Sequence, residues 1–197
     1  TQVQGQCALE SIVTRTWLAA DSCGNSATCV QIIEVRDTTA PQIVCPANRT
    51  VECDDNLDPQ INTALGSATA TDNCDDAPFS GYTDSDVTGQ CALETIITRS
   101  WYAADSCGNS AFCTQIITVR DTTAPMIVCP ANTTVNCEDV SPMAAGSAAA
   151  TDNCDDAPFI SFTDSDTPGA CPQERTIVRT WLAADSCGNS ATCVQTI

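Results

Sequence analysis

The eleven residues AADSCGNSATC occupy positions 19–29 and recur letter for letter at 183–193; with one change they stand at 103–113 as AADSCGNSAFC. A chain that writes the same segment three times folds as copies of one unit, each unable to differ much from its neighbours. The cysteines set the register. Cys7 and Cys91, Cys45 and Cys129, and Cys53 and Cys137 stand 84 residues apart; Cys74 and Cys154, and Cys91 and Cys171, stand 80 apart. The missing four residues fall where NLDPQINTALGSATATDNC shortens to VSPMAAGSAAATDNC, so that stretch reads as a surface loop.

The unit therefore begins at DTTAP. Residues 1–36 are the back half of a unit, 37–120 are a whole one, and 121–197 are a third that stops at CVQTI, where the earlier copies run on into DTTAP. This phase predicts a window on a longer tandem array, or a first half-domain completed by a neighbouring chain. Thr1 is not an initiator Met and opens no signal-peptide pattern, which fits a processed chain or a piece of a longer one.

Fifteen cysteines in 197 residues need an oxidising compartment if they are to pair. Zinc is a poor alternative use, because the chain has no His and no Cys-x-x-Cys spacing. The net charge of −18, with all seven basic residues Arg, repels nucleic acid and anionic membranes and attracts cations. No run of about 18 apolar residues is present, so no direct membrane insertion is expected.

Within 37–120, the segments QIVC, RTVEC, PFSGYTDSD, LETIITRSWYAAD and AFCTQIITVRD read as strands, and Gly108-Asn109 reads as the turn between the last two. No apolar stripe of helical period persists. Turn signals every 8–12 residues point to an antiparallel sandwich. Period 2 places Ile97, Arg99, Trp101 and Ala103 on one face, with Trp101 as core anchor and Trp17 and Trp181 as its copies. Arg15, Arg99 and Arg179 stand two residues before each Trp; each either stacks on it or lays its stem over the sheet edge.

APQIVCPANRTVEC, ATATDNCD and WYAADSCGNSAFC resemble the hyalin-repeat (HYR) family of immunoglobulin-like domains, and more closely the cysteine-rich HYR-like tandem repeats of large secreted bacterial surface proteins. The resemblance covers the whole chain. It departs in having six cysteines per unit where the eukaryotic module has two. It implies an all-β fold of tandem immunoglobulin-like β-sandwich repeats, disulfide-rich, in an extracellular or cell-surface array. That array would be adhesive or structural, without catalytic activity, its partners neighbouring repeats or identical chains in a fibre.

The residues agree on catalysis. There is no His to act as base, no G-x-S-x-G elbow and no P-loop, and every Asp cluster recurs with the repeat although catalysis needs one site. The other functional reading is a carbohydrate- or protein-binding sandwich module. Aromatic content of 5%, in Trp positions that read as core, argues against it.

The family's own disulfide corresponds to Cys45–Cys113, and to Cys129–Cys193 in the third repeat. An immunoglobulin-like order further implies Cys74–Cys107 and Cys53–Cys91, with Cys154–Cys187 and Cys137–Cys171 as their copies. Local pairing, 45–53, 74–91 and 107–113, stays open, since six cysteines allow 15 connectivities. Under the first scheme Cys7, Cys23 and Cys29 have no partner within the chain.

Two further expectations concern sites. Asn48 and Asn132 open sequons at one repeat position, and Thr38 and Thr122 sit in Asp-Thr pairs similar to a bacterial O-glycosylation signal; either glycans are attached there or these Thr merely reflect how common Thr is in strands and linkers. Ca²⁺ is expected at the junctions. Asp37, Asp72, Asp75, Asp76, Asp105 and Asn109, and their copies Asp121, Asp152, Asp155, Asp156, Asp185 and Asn189, lie in loops that share one pole, and hard oxygen donors suit that ion. Asp37, Asp72 and Asp105 are the innermost ligands expected. The competing role for the same residues is to cap turns by bonding nearby backbone N–H groups.

Overall fold

A computed structural model of the chain describes residues 1–5, 7, 10–91, 93–136 and 139–197. The fold is all-β, with immunoglobulin-like sandwich repeats. The strands are β1 (Gln2–Gln4), β2 (Ser11–Ala20) and β3 (Ser26–Val35) in the half-repeat, then β4 (Gln42–Val44), β5 (Arg49–Val51), β6 (Thr69–Thr71), β7 (Phe79–Thr88), β8 (Thr95–Ala104) and β9 (Ser110–Val119) in the whole one. The third repeat holds β10 (Met126–Val128), a single helical turn α1 (Pro142–Ala145), β11 (Ala149–Thr151), β12 (Phe159–Pro168), β13 (Arg175–Ala184) and β14 (Ser190–Thr196).

These strands divide into two compact units, and the division does not follow the repeats. One comprises Thr1–Asn48, Leu57–Ser85 and Thr98–Ile116; the other comprises Arg49–Asn56, Asp86–Ile97 and Ile117–Ile197. Each unit contains a junction at which one repeat meets the next.

In the first unit, β1, β2 and β3 form an antiparallel sheet, with Trp17 opposite Cys29. β4 pairs with β6, and Cys45, just past β4, bonds Cys113 on β9, which ties the two layers of the middle repeat together. Arg99, Trp101 and Ala103 are all buried, as is Ile97, which ends the second unit's share of β8, so the period-2 face of that strand is a core face. Arg99 has 0% exposure and needs partners, because an unpaired buried charge is costly. Its Nε and Nη2 donate to both oxygens of Asp84 at 2.8 Å, and Nη2 also donates to the Leu57 carbonyl. The guanidinium lies 4.2 Å from the Tyr82 ring centre and 5.9 Å from that of Trp101. Stacking is thus shared between two rings, with Tyr82 the nearer. Trp101 Nε1 donates to Gln115, and Gln115 donates to the carbonyls of Ala47 and Leu65, so this polar core is extensively hydrogen-bonded.

In the second unit, β5 runs parallel to β9, and Arg120 N continues the pairing to Val51 O. β10 pairs with β11, and β12, β13 and β14 form an antiparallel sheet. The core repeats that of the middle domain. Arg179 binds both oxygens of Asp164 and lies 4.1 Å from the Phe162 ring centre; Trp181 donates to Gln195, which donates to Ala131 and Ala145 carbonyls. Cys129, just past β10, bonds Cys193 on β14.

Candidate functional site

The eleven-residue motif builds one turn. In the middle repeat, Asp105 ends β8, its Oδ1 accepts from Cys107 N and Asn109 N, and its Oδ2 accepts from Asn109 Nδ2 at 2.7 Å. Gly108 takes φ +91°, a left-handed conformation that glycine adopts without steric cost. Asn109 Nδ2 also reaches the Asp37 carbonyl, fixing the start of the linker against the turn. Asp185, Asn189 and Asp121 repeat the arrangement. Burial raises the Asp105 carboxyl, but the bonds from Asn109, Cys107 and Gly108 outweigh it and hold it below the ordinary range.

A second Asp enters from the loop after β11. Asp152 Oδ1 caps its own turn by accepting from Cys154 N and Asp155 N, and Asp121 Oδ1 accepts from Thr123 N. The other oxygen of each, Asp121 Oδ2 and Asp152 Oδ2, is buried without a hydrogen-bond partner. One carboxylate oxygen each from Asp121, Asp152 and Asp185 lies within 4.8 Å of the others. Asp121 is 1% exposed, and burial pushes its carboxyl above the ordinary range; the charges of Asp152, Asp185 and Glu52 push the same way, against the Thr123 N–H. Three crowded carboxylates with two buried, unpaired oxygens fit a hard divalent cation. In Asp121 and Asp152 the turn bonds use Oδ1 and leave Oδ2 unpaired, whereas both oxygens of Asp185 accept hydrogen bonds within its turn.

The first junction is alike but not identical. Asp37 Oδ2 and Asp72 Oδ2 are again buried and unpaired, and the group that converges is Asp37, Asp72 and Cys74. Local desolvation and the charges of Asp37 and Asp72 push the Cys74 thiol above its ordinary range.

Other expected ligands stand elsewhere. Asp75 and Asp155 spend both oxygens bracing loops, accepting from Ala77 N and Ser106 N and from Ala157 N and Ser186 N. Asp76 and Asp156 are exposed and join no converging group among the described residues. Glu52 was not expected. It follows β5 of the middle repeat, and its carboxylate accepts from the backbone and hydroxyl of Thr122 in the next linker. Its place beside Cys53 was the only signal. Cys154, near Glu52 and Asp121, is half of a disulfide and offers no thiolate. Asn48 and Asn132 are exposed, their Oδ1 atoms accepting from Ile116 N and Thr196 N; Thr38 and Thr122 are exposed as well.

The disulfides correct the expected scheme. Cys107 bonds Cys7, not Cys74; Cys53 bonds Cys154, not Cys91; and Cys187 bonds Cys91, not Cys154. Cys137 lies outside the described residues, and Cys171 is a free, exposed thiol. Cys7, expected to be unpartnered, is therefore paired. The physical reason is that the end of one repeat abuts the start of the next. Cys7 and Cys91 sit at equivalent positions in the loop before β2 and β8, and each meets the turn cysteine of the following repeat at Cα separations of 5.0 and 5.1 Å. The sequence separations, 100 and 96, differ by the four residues lost from the loop, so the two are the same bond at successive junctions. Cys23, Cys29 and Cys74 are also free and exposed, and each occupies a position that is bonded in another repeat.

No family model matches the chain, and no curated protein matches it. A solved structure of the protocadherin GammaB4 extracellular domain is similar at 13% identity with a TM-score of 0.33; the match covers 96% of this chain and spans 40% of that one.

Proposed function

We propose that the chain is a structural, non-catalytic segment of an extracellular array of HYR-like repeats, a surface stalk, adhesin or fibre protomer, whose junctions are fixed by disulfides between repeats and by calcium. The observation that carries this reading is the equivalent pair Cys7–Cys107 and Cys91–Cys187, each joining one repeat to the next. A disulfide framework of this density persists in oxidising surroundings, which supports an extracellular place. Cys23, Cys74 and Cys171 then serve as bonding positions for adjoining repeats of the same kind.

Asp121, Asp152 and Asp185 would hold the ion at the second junction, and Asp37 and Asp72 with Asp105 at the first. Calcium would neutralise the crowded carboxylates and lock the linker to the turn. Glycans on Asn48, Asn132, Thr38 or Thr122 would shield exposed sheet edges, and intact mass measures them. The test of the calcium role is thermal melting of the full chain with calcium, magnesium or a chelator. A specific site stabilises by about 2.7 kcal/mol at a hundredfold excess over Kd. Identical melting in all three leaves the Asp residues as turn caps only. Imaging of the native assembly tests the array: beads in file support it, and dispersed single chains contradict it.

A further inference from the structure

The bonds that join the repeats also fix how far the molecule can be stretched. β8 is ten residues long and already rises about 3.3 Å per residue, close to the greatest reach of a chain. Cys107, three residues past its end, is bonded to the preceding repeat; Cys91, four residues before its start, is bonded to the following one. The strand is thus covalently anchored to both neighbours and has little slack. A second route runs beside it. From Cys113 the chain follows β9, the DTTAP linker and β10 to Cys129, which is bonded to Cys193. Both routes cover sixteen residues of sequence, from Cys107 back to Cys91 and from Cys113 on to Cys129.

We infer that the chain is a tension-bearing tether, entered through Cys7–Cys107, in which the second junction is crossed by two covalent routes of equal length, one through β8 to Cys187 and one through the linker to Cys193, with Cys53–Cys154 a longer third. At the limit of these two routes the Cys53–Cys154 path and the rest of each sandwich stay slack. The inference rests on the disulfide pattern alone and does not need calcium or an extracellular setting.

From Thr1 to Ile197 the shortest covalent path in the oxidised chain is about 35 residues, through Cys7–Cys107 and then either Cys91–Cys187 or Cys129–Cys193. At about 3.5 Å per residue this is ~120 Å, against ~690 Å for the reduced chain. The experiment is single-molecule stretching of the full chain from handles at its two ends, with free thiols alkylated first. The expected result is a roughly sixfold longer limit after reduction.

Replacing one route, by Cys91→Ser with Cys187→Ser or by Cys129→Ser with Cys193→Ser, leaves the short limit unchanged, because the other route holds. Replacing both raises the limit about twofold, since Cys53–Cys154 then sets it. These lengths depend on covalent connectivity and not on whether a variant keeps its full stability. An oxidised limit near ~235 Å, the value for bonds closed within each repeat, overturns the inference, as does lengthening on loss of either single route.

Discussion

The half-repeat and the whole repeats carry the same motif in two environments. The turn is identical in all three. Asp21 Oδ1 accepts from Cys23 N at 2.9 Å and Asn25 N at 2.8 Å, as Asp105 and Asp185 do in their copies. The core is not. Trp17 is 53% exposed, whereas Trp101 and Trp181 are 4% and 3% exposed. Arg15 lies 5.5 Å from the Trp17 ring centre, but no carboxylate binds it among the described interactions, whereas Arg99 and Arg179 each clasp an Asp. The turn is therefore a local structure, complete in eleven residues. The Arg–Trp–Gln core is a tertiary one, completed by Asp84, Leu57, Ala47 and Leu65 from the front half of the repeat.

The largest test of that contrast is truncation of the Trp in both settings. Trp101→Ala removes a buried ring and is expected to destabilise by about 3–5 kcal/mol, while Trp17→Ala stays within about 0.5 kcal/mol. Denaturant unfolding of the two variants measures it; equal losses would break the comparison. Asp84→Ala is expected to cost about 3–5 kcal/mol as well, because Arg99 is left charged and buried without its partner.

The junctions make a smaller contrast. If calcium binds as proposed, Asp121→Asn is expected to abolish most of the ~2.7 kcal/mol that a site supplies at a hundredfold excess over Kd, read as the lost shift in melting temperature. Asp76→Asn, at an exposed position outside the converging group, is expected to leave that shift intact.

The smallest effect is in pH. The Asp121 carboxyl is raised in the folded chain, so between its unfolded and folded values the native state holds the extra proton. Without calcium, this group's contribution to stability is greatest below the unfolded value and falls as pH rises through the folded one. Asp164 has the opposite sign. Its bond to Arg179 lowers it, so its contribution is present above the unfolded value and is lost as pH falls through the folded one. At the proposed site, calcium affinity is expected to weaken as acid protonates Asp121. Calorimetric titration across mildly acidic pH checks this, and a flat affinity would remove Asp121 from the site.

Much of the strand layer was legible because it rests on local pattern. The alternation of Ile97, Arg99, Trp101 and Ala103 and the Gly108-Asn109 turn are written in neighbouring residues. The Asp84 partner of Arg99 was not, since nothing in either segment marks a contact fifteen residues away. The cysteine pairing was hidden for a different reason. Cys53 and Cys91 lie at one end of the repeat, and Cys74 and Cys107 at the other, but copies of a unit leave open whether like ends pair within a repeat or across the junction. Asp75 and Asp72 illustrate the same limit at the candidate cation site. Both stand in TDNCDD, yet one spends both oxygens on loops and the other keeps a buried oxygen unpaired.

Peptide mapping of the chain's disulfides, after alkylation and digestion without reduction, tests the central claim most directly. The expected linked peptides join Cys7 to Cys107, Cys53 to Cys154 and Cys91 to Cys187, across the repeats. Peptides joining Cys74 to Cys107 and Cys53 to Cys91, each inside one repeat, would contradict it.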